Sequence, residues 1–225
     1  LNQRKKIKTL DYSLSSLGSY IEREKYKGFD PYDGLESSIF KLPVLKSSKY
    51  IRFLSQQLIK RFPINVRPFL FIKKGYNPVT LGLCIQSYSY LYEIDINNKD
   101  KYLQKINFLI SELEKLKSKG FQGSCWGYDF DWESRFAKID AFQPTVVATG
   151  IITNALFVCY EITKISKAKR LLIDSTGFII NDLNRTYDND NNICFSYSPN
   201  DKQQVLNASM KGARALSQAF YLTDR

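Results

Sequence analysis

The chain contains no histidine in its 225 residues. That removes the side chain most often used as a general base near neutral pH and the commonest zinc ligand, so any catalysis must run on carboxylates, Tyr, Lys, Arg or Cys. Also missing are a phosphate-binding G-x-G-x-x-G or G-x-x-x-x-G-K, a G-x-S-x-G, a spaced zinc-ligand set and a calcium loop, which argues against nucleotide hydrolysis and zinc chemistry. No cofactor and no metal are expected. No apolar run approaches the roughly 18 to 20 residues of a membrane span, and residues 1–25 are too polar for a secretion signal. The expectation is a cytoplasmic protein, with peripheral attachment to the inner membrane as its variant. No Gly/Ser-rich or Pro-rich tract divides the chain, so residues 1–225 read as one domain. The cysteines form no C-x-x-C pair. Cys84 and Cys159 fall in apolar helical patterns and read as reduced core thiols, and the loop residues Cys125 and Cys194 are the better placed pair for a disulfide.

What is present is positive charge, 33 Lys and Arg against 22 Asp and Glu for a net +11. Such a surface favours anionic partners: an acidic glycan, a sugar nucleotide, a membrane surface or, least expected here, nucleic acid. The basic residues come in short clusters such as Lys60-Arg61 and Lys73-Lys74, mostly at helix edges, where solvated faces account for most of them.

Seven segments carry apolar residues three and four apart. The first, with Ile7, Leu10, Leu14, Leu17 and Ile21, predicts a helix with one buried face. Residues 48–62, 79–94 and 101–117 repeat the pattern, as do the runs Val147 to Ile162, Leu172 to Leu183 and Leu206 to Phe220. Short extended pieces are expected at Phe69 to Ile72 and at Ile193 to Tyr197. Three helices close alike, in Tyr92-Glu93-Ile94-Asp95, Tyr160-Glu161-Ile162-Thr163 and Phe220-Tyr221-Leu222-Thr223, at spacings of 68 and 60 residues. Each is expected to open near a proline, in Asn77-Pro78, Gln143-Pro144 and Ser198-Pro199. The repeating unit is a long loop, a helix, a short turn and a second helix. Short turns make antiparallel hairpins, and hairpins side by side deliver all the long loops to one end. The expected fold is all-α, an α/α toroid of helical hairpins. Seven helices supply only part of an (α/α)6 ring, so the chain is expected to be a fragment of a longer one. An open solenoid of stacked hairpins is the alternative.

Chemistry concentrates in the loop Gly120 to Arg135, which holds both tryptophans. Flat aromatic faces beside carboxylates suit a sugar, whose C–H faces stack while its hydroxyls seek charged partners. Trp126, Tyr128 and Trp132 are the stacking candidates, and Arg135 a polar one. Asp129 and Asp131 are two apart and share a side if the loop is extended, with Glu133 continuing the row. Close carboxylates push their pKa values apart, which lets one act as acid and the other as base, so Asp129 and Asp131 are the catalytic candidates. The competing reading has them capping backbone amides or pairing with Arg135. In the next unit Arg185, Tyr197 and Asp201 are expected to face the same funnel with Asn207 opening the helix below. A helix cap is the plainer role for Asp201. Tyr32, Asp33 and Arg67 are further binding candidates, Arg67 as a positive charge for an anionic sugar.

Taken together, Tyr26 to Leu35, Trp126-Gly127-Tyr128-Asp129-Phe130-Asp131-Trp132, Phe195-Ser196-Tyr197-Ser198-Pro199 and Asn207-Ala208-Ser209 resemble a bacterial family found with exopolysaccharide and capsule biosynthesis genes. The resemblance covers nearly the whole chain. That family is similar in fold to the six-hairpin glycosidase and terpenoid-cyclase-like toroids. The resemblance implies a setting, surface-polysaccharide production, and carries over no catalytic residue. It leaves open whether the chain is an enzyme, for instance one resembling a glycoside hydrolase. The leading expectation is a glycan-acting or glycan-binding toroid whose ligand is a carbohydrate or sugar nucleotide. The alternatives are a non-catalytic module docking on a membrane-associated polysaccharide synthesis complex, and a prenyl or terpenoid enzyme with an apolar funnel.

Overall fold

Helix boundaries in the computed structural model, which describes residues 2–42, 45, 48–133 and 138–224, follow local capping chemistry. The first helix, α1, spans Asn2–Arg23. The second, α2 (Lys49–Arg61), starts at Ser48, whose hydroxyl accepts from the Ile51 N–H. Asn77 opens α3 (Pro78–Ile94) by accepting from the Val79 and Thr80 N–H groups, and Pro78 occupies the first turn, where its missing N–H costs nothing. A short 3-10 turn leads into α4 (Lys99–Lys115). Thr145 caps α5 (Val146–Thr163), and after a left-handed Lys164 comes α6 (Ser166–Gly177), running on into one π-helical turn at Phe178–Asp182. The last helix, α7, spans Leu206–Thr223. Two small antiparallel ladders complete the described elements: β1 (Trp132–Glu133) with β2 (Lys138–Ile139), and β3 (Arg185–Tyr187) with β4 (Ile193–Phe195). The fold is mainly α, as the periodicity implies.

The contacts define an array of hairpins. Helix α3 packs on α4 antiparallel: near its C-terminal end Tyr88 stacks on Tyr102 in the first turn of α4, at 6.1 Å between ring centroids. Helix α5 forms the next hairpin with α6. The first helices of the hairpins lie side by side and parallel. Gly82 packs against Ile152 near the starts of α3 and α5, and Ser89 meets Cys159 near their ends. From α7, Arg214 donates to the Gly150 carbonyl and, one turn on, Gln218 donates to Asn154. The α5/α7 crossing is close enough that a Cβ on Gly150 would lie 2.6 Å from the Lys211 Cβ, so only glycine fits.

Helix α5 is therefore the central helix, touching α3, α6 and α7. Its mean hydropathy of 1.6 makes it the one described helix long and apolar enough to cross a membrane, but half of it is buried within the protein, as suits a core helix. One core cluster unites α3 to α6 around Leu81, Ile85, Ile106, Leu113, Ile152 and Leu156. A second joins Cys125, Val146, Phe178 and Phe195 to α7. All four cysteines are free thiols, and Cys84, Cys125 and Cys159 are buried, so the Cys125–Cys194 pairing is not formed.

Three expectations need correction. From Lys8 onward the apolar stripe of α1 is largely uncovered: Leu10, Leu14 and Leu17 are 68%, 50% and 57% exposed, and Ile21 packs against the core. Amphipathic spacing shows that a face is suited to cover, not that this chain supplies it. Phe69 to Ile72 is not extended, since Arg67–Leu70 forms a 3-10 turn that ends on a left-handed Phe71. The third parallel helix does not open at Pro199. Asp201 accepts from the backbone N–H groups of Tyr197, Ser198 and Gln203 and from the Ser198 hydroxyl, closing a turn that delays α7 to Leu206. Nor was the π-helical turn after α6 anticipated.

Candidate functional site

The loops that precede α3, α5 and α7 meet at the N-terminal ends of these helices. The Val146 N–H donates to the Tyr197 carbonyl, the Thr145 N–H to the Trp126 carbonyl, and Asn200 to Gln143. On this side a cleft of about 330 Å³ opens between the C-terminal turn of α1, the turn at residues 28–33 and the start of α3. Its volume lies in the range of small-ligand pockets. Tyr20, Tyr26, Phe29 and Tyr76 supply aromatic wall, and Asp30 and Asp129 are both in its lining.

The two carboxylates sit in different surroundings. Asp30 accepts from the Tyr32 N–H at 2.9 Å and from the Asn77 side-chain amide at 2.8 Å. Asn77 thereby spends its oxygen on capping α3 and its nitrogen on orienting Asp30. Asp129 takes a hydrogen bond from its own backbone N–H and, among the described residues, has no side-chain donor. Burial, then the neighbouring charge of Asp30, push its carboxyl above the usual carboxylate range. The side chain lies over Gly75, where an added Cβ would come within 2.8 Å of Asp129 Oδ2. Gly75 in turn exchanges two backbone hydrogen bonds of 3.0 Å with Gly28, which pins the cleft wall to the segment entering α3.

Around this pair several of the expected residues assemble. Tyr128 is mostly buried and stacks on Phe130 with centroids 5.3 Å apart, its phenol pushed up to about 12 chiefly by burial and then by the charge of Asp30. Tyr32 packs against Trp132 at 6.0 Å, so the Pro31-Tyr32-Asp33 turn does reach the Trp loop. Lys60 donates to the Tyr32 hydroxyl and lies over its ring. Asp33 is buried and paired with Arg67 Nε at 2.6 Å. Burial raises its carboxyl against the opposing pull of Arg67. Arg67 also donates through Nη2 to the Asp30 carbonyl, so it holds the turn together and is not a free charge for a ligand.

Other candidates stand elsewhere. Trp126 is fully buried, donating its indole N–H to the Leu113 carbonyl at 2.8 Å, so it presents no face to a sugar. Asp131 accepts from the Ala141 N–H and pairs with Lys138, which ties β2 to the loop and separates it from Asp129. Glu133, third in the row, is buried against Arg52. The loop turns between these residues instead of running extended, so three carboxylates at period 2 enter three environments. Tyr197 packs on the second core cluster, with its phenol raised by burial and by Asp201. Asp201 itself is consumed by its turn. Arg185 and Asn207 are exposed and line no part of the cleft, Arg185 donating to the Ile180 carbonyl. Arg135 lies outside the described residues. Asp30 and Asn77 were not foreseen as site residues, although Asp30-Pro31 and Asn77-Pro78 carry turn and cap signals.

The cleft inverts the charge of the molecule, with five carboxylates in its lining, Glu24, Asp30, Asp33, Glu36 and Asp129, against Lys27 and Lys73. Among the described residues no group of three or more carboxylates or thiols is placed to hold a metal ion. No family model, no curated protein and no solved structure matches the chain.

Proposed function

We propose that this chain is a glycan-acting part of an α/α toroid that serves bacterial surface-polysaccharide production, with its sugar site in the cleft between Asp30 and Asp129. The observation that carries the reading is the unequal pair of carboxylates in a cleft beside the N-terminal end of α3. One accepts two hydrogen bonds, and the other is half-buried with a raised affinity for its proton. Such a difference in surroundings divides proton donor from acceptor in sugar chemistry. Asp129 is the acid, able to hand its proton to a departing glycosidic oxygen, and Asp30 is the base or charge stabiliser. Tyr76 and Tyr26 offer stacking surface on the wall. The parallel order of α3, α5 and α7 with their long loops at one end supports the toroid.

Asp129→Asn is the test. Because the folded-state pKa of Asp129 is raised, its contribution to stability is full below the unfolded value near 3.8 and is lost as pH rises through the folded value. At neutral pH the charged group therefore works against the fold. The asparagine variant is expected to melt no lower than the native chain at pH 7, with the difference shrinking toward about pH 3, while turnover of polysaccharide repeat units falls by about 10²-fold or more. Full turnover in a folded variant removes Asp129 from the mechanism.

The charge of the remaining surface favours a second reading, a module that docks on an anionic membrane-associated complex. Since the acidic cleft excludes its own neighbourhood from that role, the +11 charge must be carried by other faces. Sedimentation with anionic vesicles is then expected to be strong at low salt and lost at high salt. No sedimentation at low salt ends this reading.

A further inference from the structure

We propose that the cleft takes a sugar residue carrying a free amine, with its ammonium group set between Asp129 and Asp30. The inference rests on the glycan reading above and narrows its substrate class. The argument is one of charge accounting inside a cavity. Glu24 is neutralised by Lys74, and Asp33 by Arg67. The groups that meet Asp30 and Asp129 are neutral donors, namely backbone N–H groups and the Asn77 amide. The charge acting on Asp129 is that of Asp30, of the same sign. Of the two lysines in the lining, Lys27 is held with its ammonium 5.0 Å from the Tyr76 ring centroid and Lys73 stands exposed at the rim.

Neither of these two carboxylates thus has an ion-pair partner among the described residues, and the charge of Asp30 adds to burial in raising the proton affinity of Asp129. An inorganic cation finds no set of three carboxylate or thiol ligands there among the described residues. A protonated amine fits better: it brings one positive charge and three N–H donors to two acceptor groups that have lone pairs to spare. The ring that carries it finds aromatic wall in Tyr26 and Tyr76. A uronate or a phosphate would bring further negative charge to a cleft lined by carboxylates, and an N-acetyl group removes the positive one. The cleft is therefore selective against the anionic sugars that the net charge of the chain suggests.

The test is calorimetric titration of the whole chain with tetrasaccharides of glucosamine, of N-acetylglucosamine and of a uronic acid, at a pH below the pKa of the amine. The glucosamine oligomer is expected to bind at least about tenfold more tightly than the acetylated one, with the uronate weakest. Asp129→Asn is expected to bring the affinities for the amine and acetylated oligomers to within about twofold of each other. If the variant fails to fold, the ranking on the native chain decides alone. Equal binding of the amine and acetylated forms, or preference for the uronate, overturns this inference and leaves the glycan reading standing. Absence of binding by all three overturns both.

Discussion

Trp126→Ala is expected to cost about 3–5 kcal/mol, the range for truncating a buried Trp, and to lower the melting temperature on the order of 10 °C for a chain of this size. Trp126 sits where α4 ends and α5 begins, inside the main core cluster, with no exposed surface. Its indole N–H satisfies the Leu113 carbonyl in the last turn of α4, its backbone N–H is held by Thr149 at 3.2 Å, and its carbonyl accepts from Thr145, the cap of α5. Alanine keeps the two backbone bonds, leaves a large cavity and orphans a buried carbonyl. Trp126→Phe fills most of the volume but cannot donate, so it isolates the hydrogen bond and is expected to cost about 1–3 kcal/mol. Denaturant unfolding of both variants measures the difference. A Trp126→Ala chain as stable as the native one, with sugar binding lost, would return Trp126 to the role of a stacking platform.

That residue shows where the sequence speaks and where it falls silent. An aromatic, Gly-rich loop with carboxylates describes a sugar site and a plug between two helices equally well. The deciding fact is a carbonyl of α4 that needs a donor, which becomes visible only once α4 and the loop are placed together. The helices themselves were legible because burial of a stripe imposes a 3.6-residue period, and the starts of α3 and α5 because Asn77-Pro78 and Gln143-Pro144 mark them, although the cap that satisfies the orphan N–H groups of α5 is Thr145, one residue on. The start of α7 was not, because Asp201 captures the backbone after Pro199 in a competing turn. Asp129 and its loop were legible as chemistry, but its partner was misassigned. The natural neighbour by spacing is Asp131, two residues away, whereas the neighbour in space is Asp30, brought in by Asn77 and by the Gly28–Gly75 bridge. Long-range pairing of this kind leaves no period in a sequence.

Glu133→Ala is expected to loosen one side of the molecule while sparing the rest. Glu133 is 2% exposed and meets Arg52 Nε at 2.8 Å, with Arg52 itself only 15% exposed. Removing one partner of such a pair leaves a poorly solvated charge behind and costs about 3–5 kcal/mol. The cost falls locally, because α2 reaches the body through β1 and through the turn at Asp33–Glu36, where Gly34 packs on Ile59. Gln56 of α2 clamps the same point, donating to the Glu133 carbonyl and accepting from its N–H. In the variant, amide exchange in α2 is expected to accelerate by roughly two to four powers of ten, with α3, α4 and α5 keeping their protection. Because Tyr32 rests on Trp132 beside this anchor, the same change is expected to weaken sugar binding without touching Asp129. Uniform loss of protection across all helices would instead mean that α2 and the hairpin array unfold as one unit. Unchanged exchange would mean that Gln56 alone holds the helix in place.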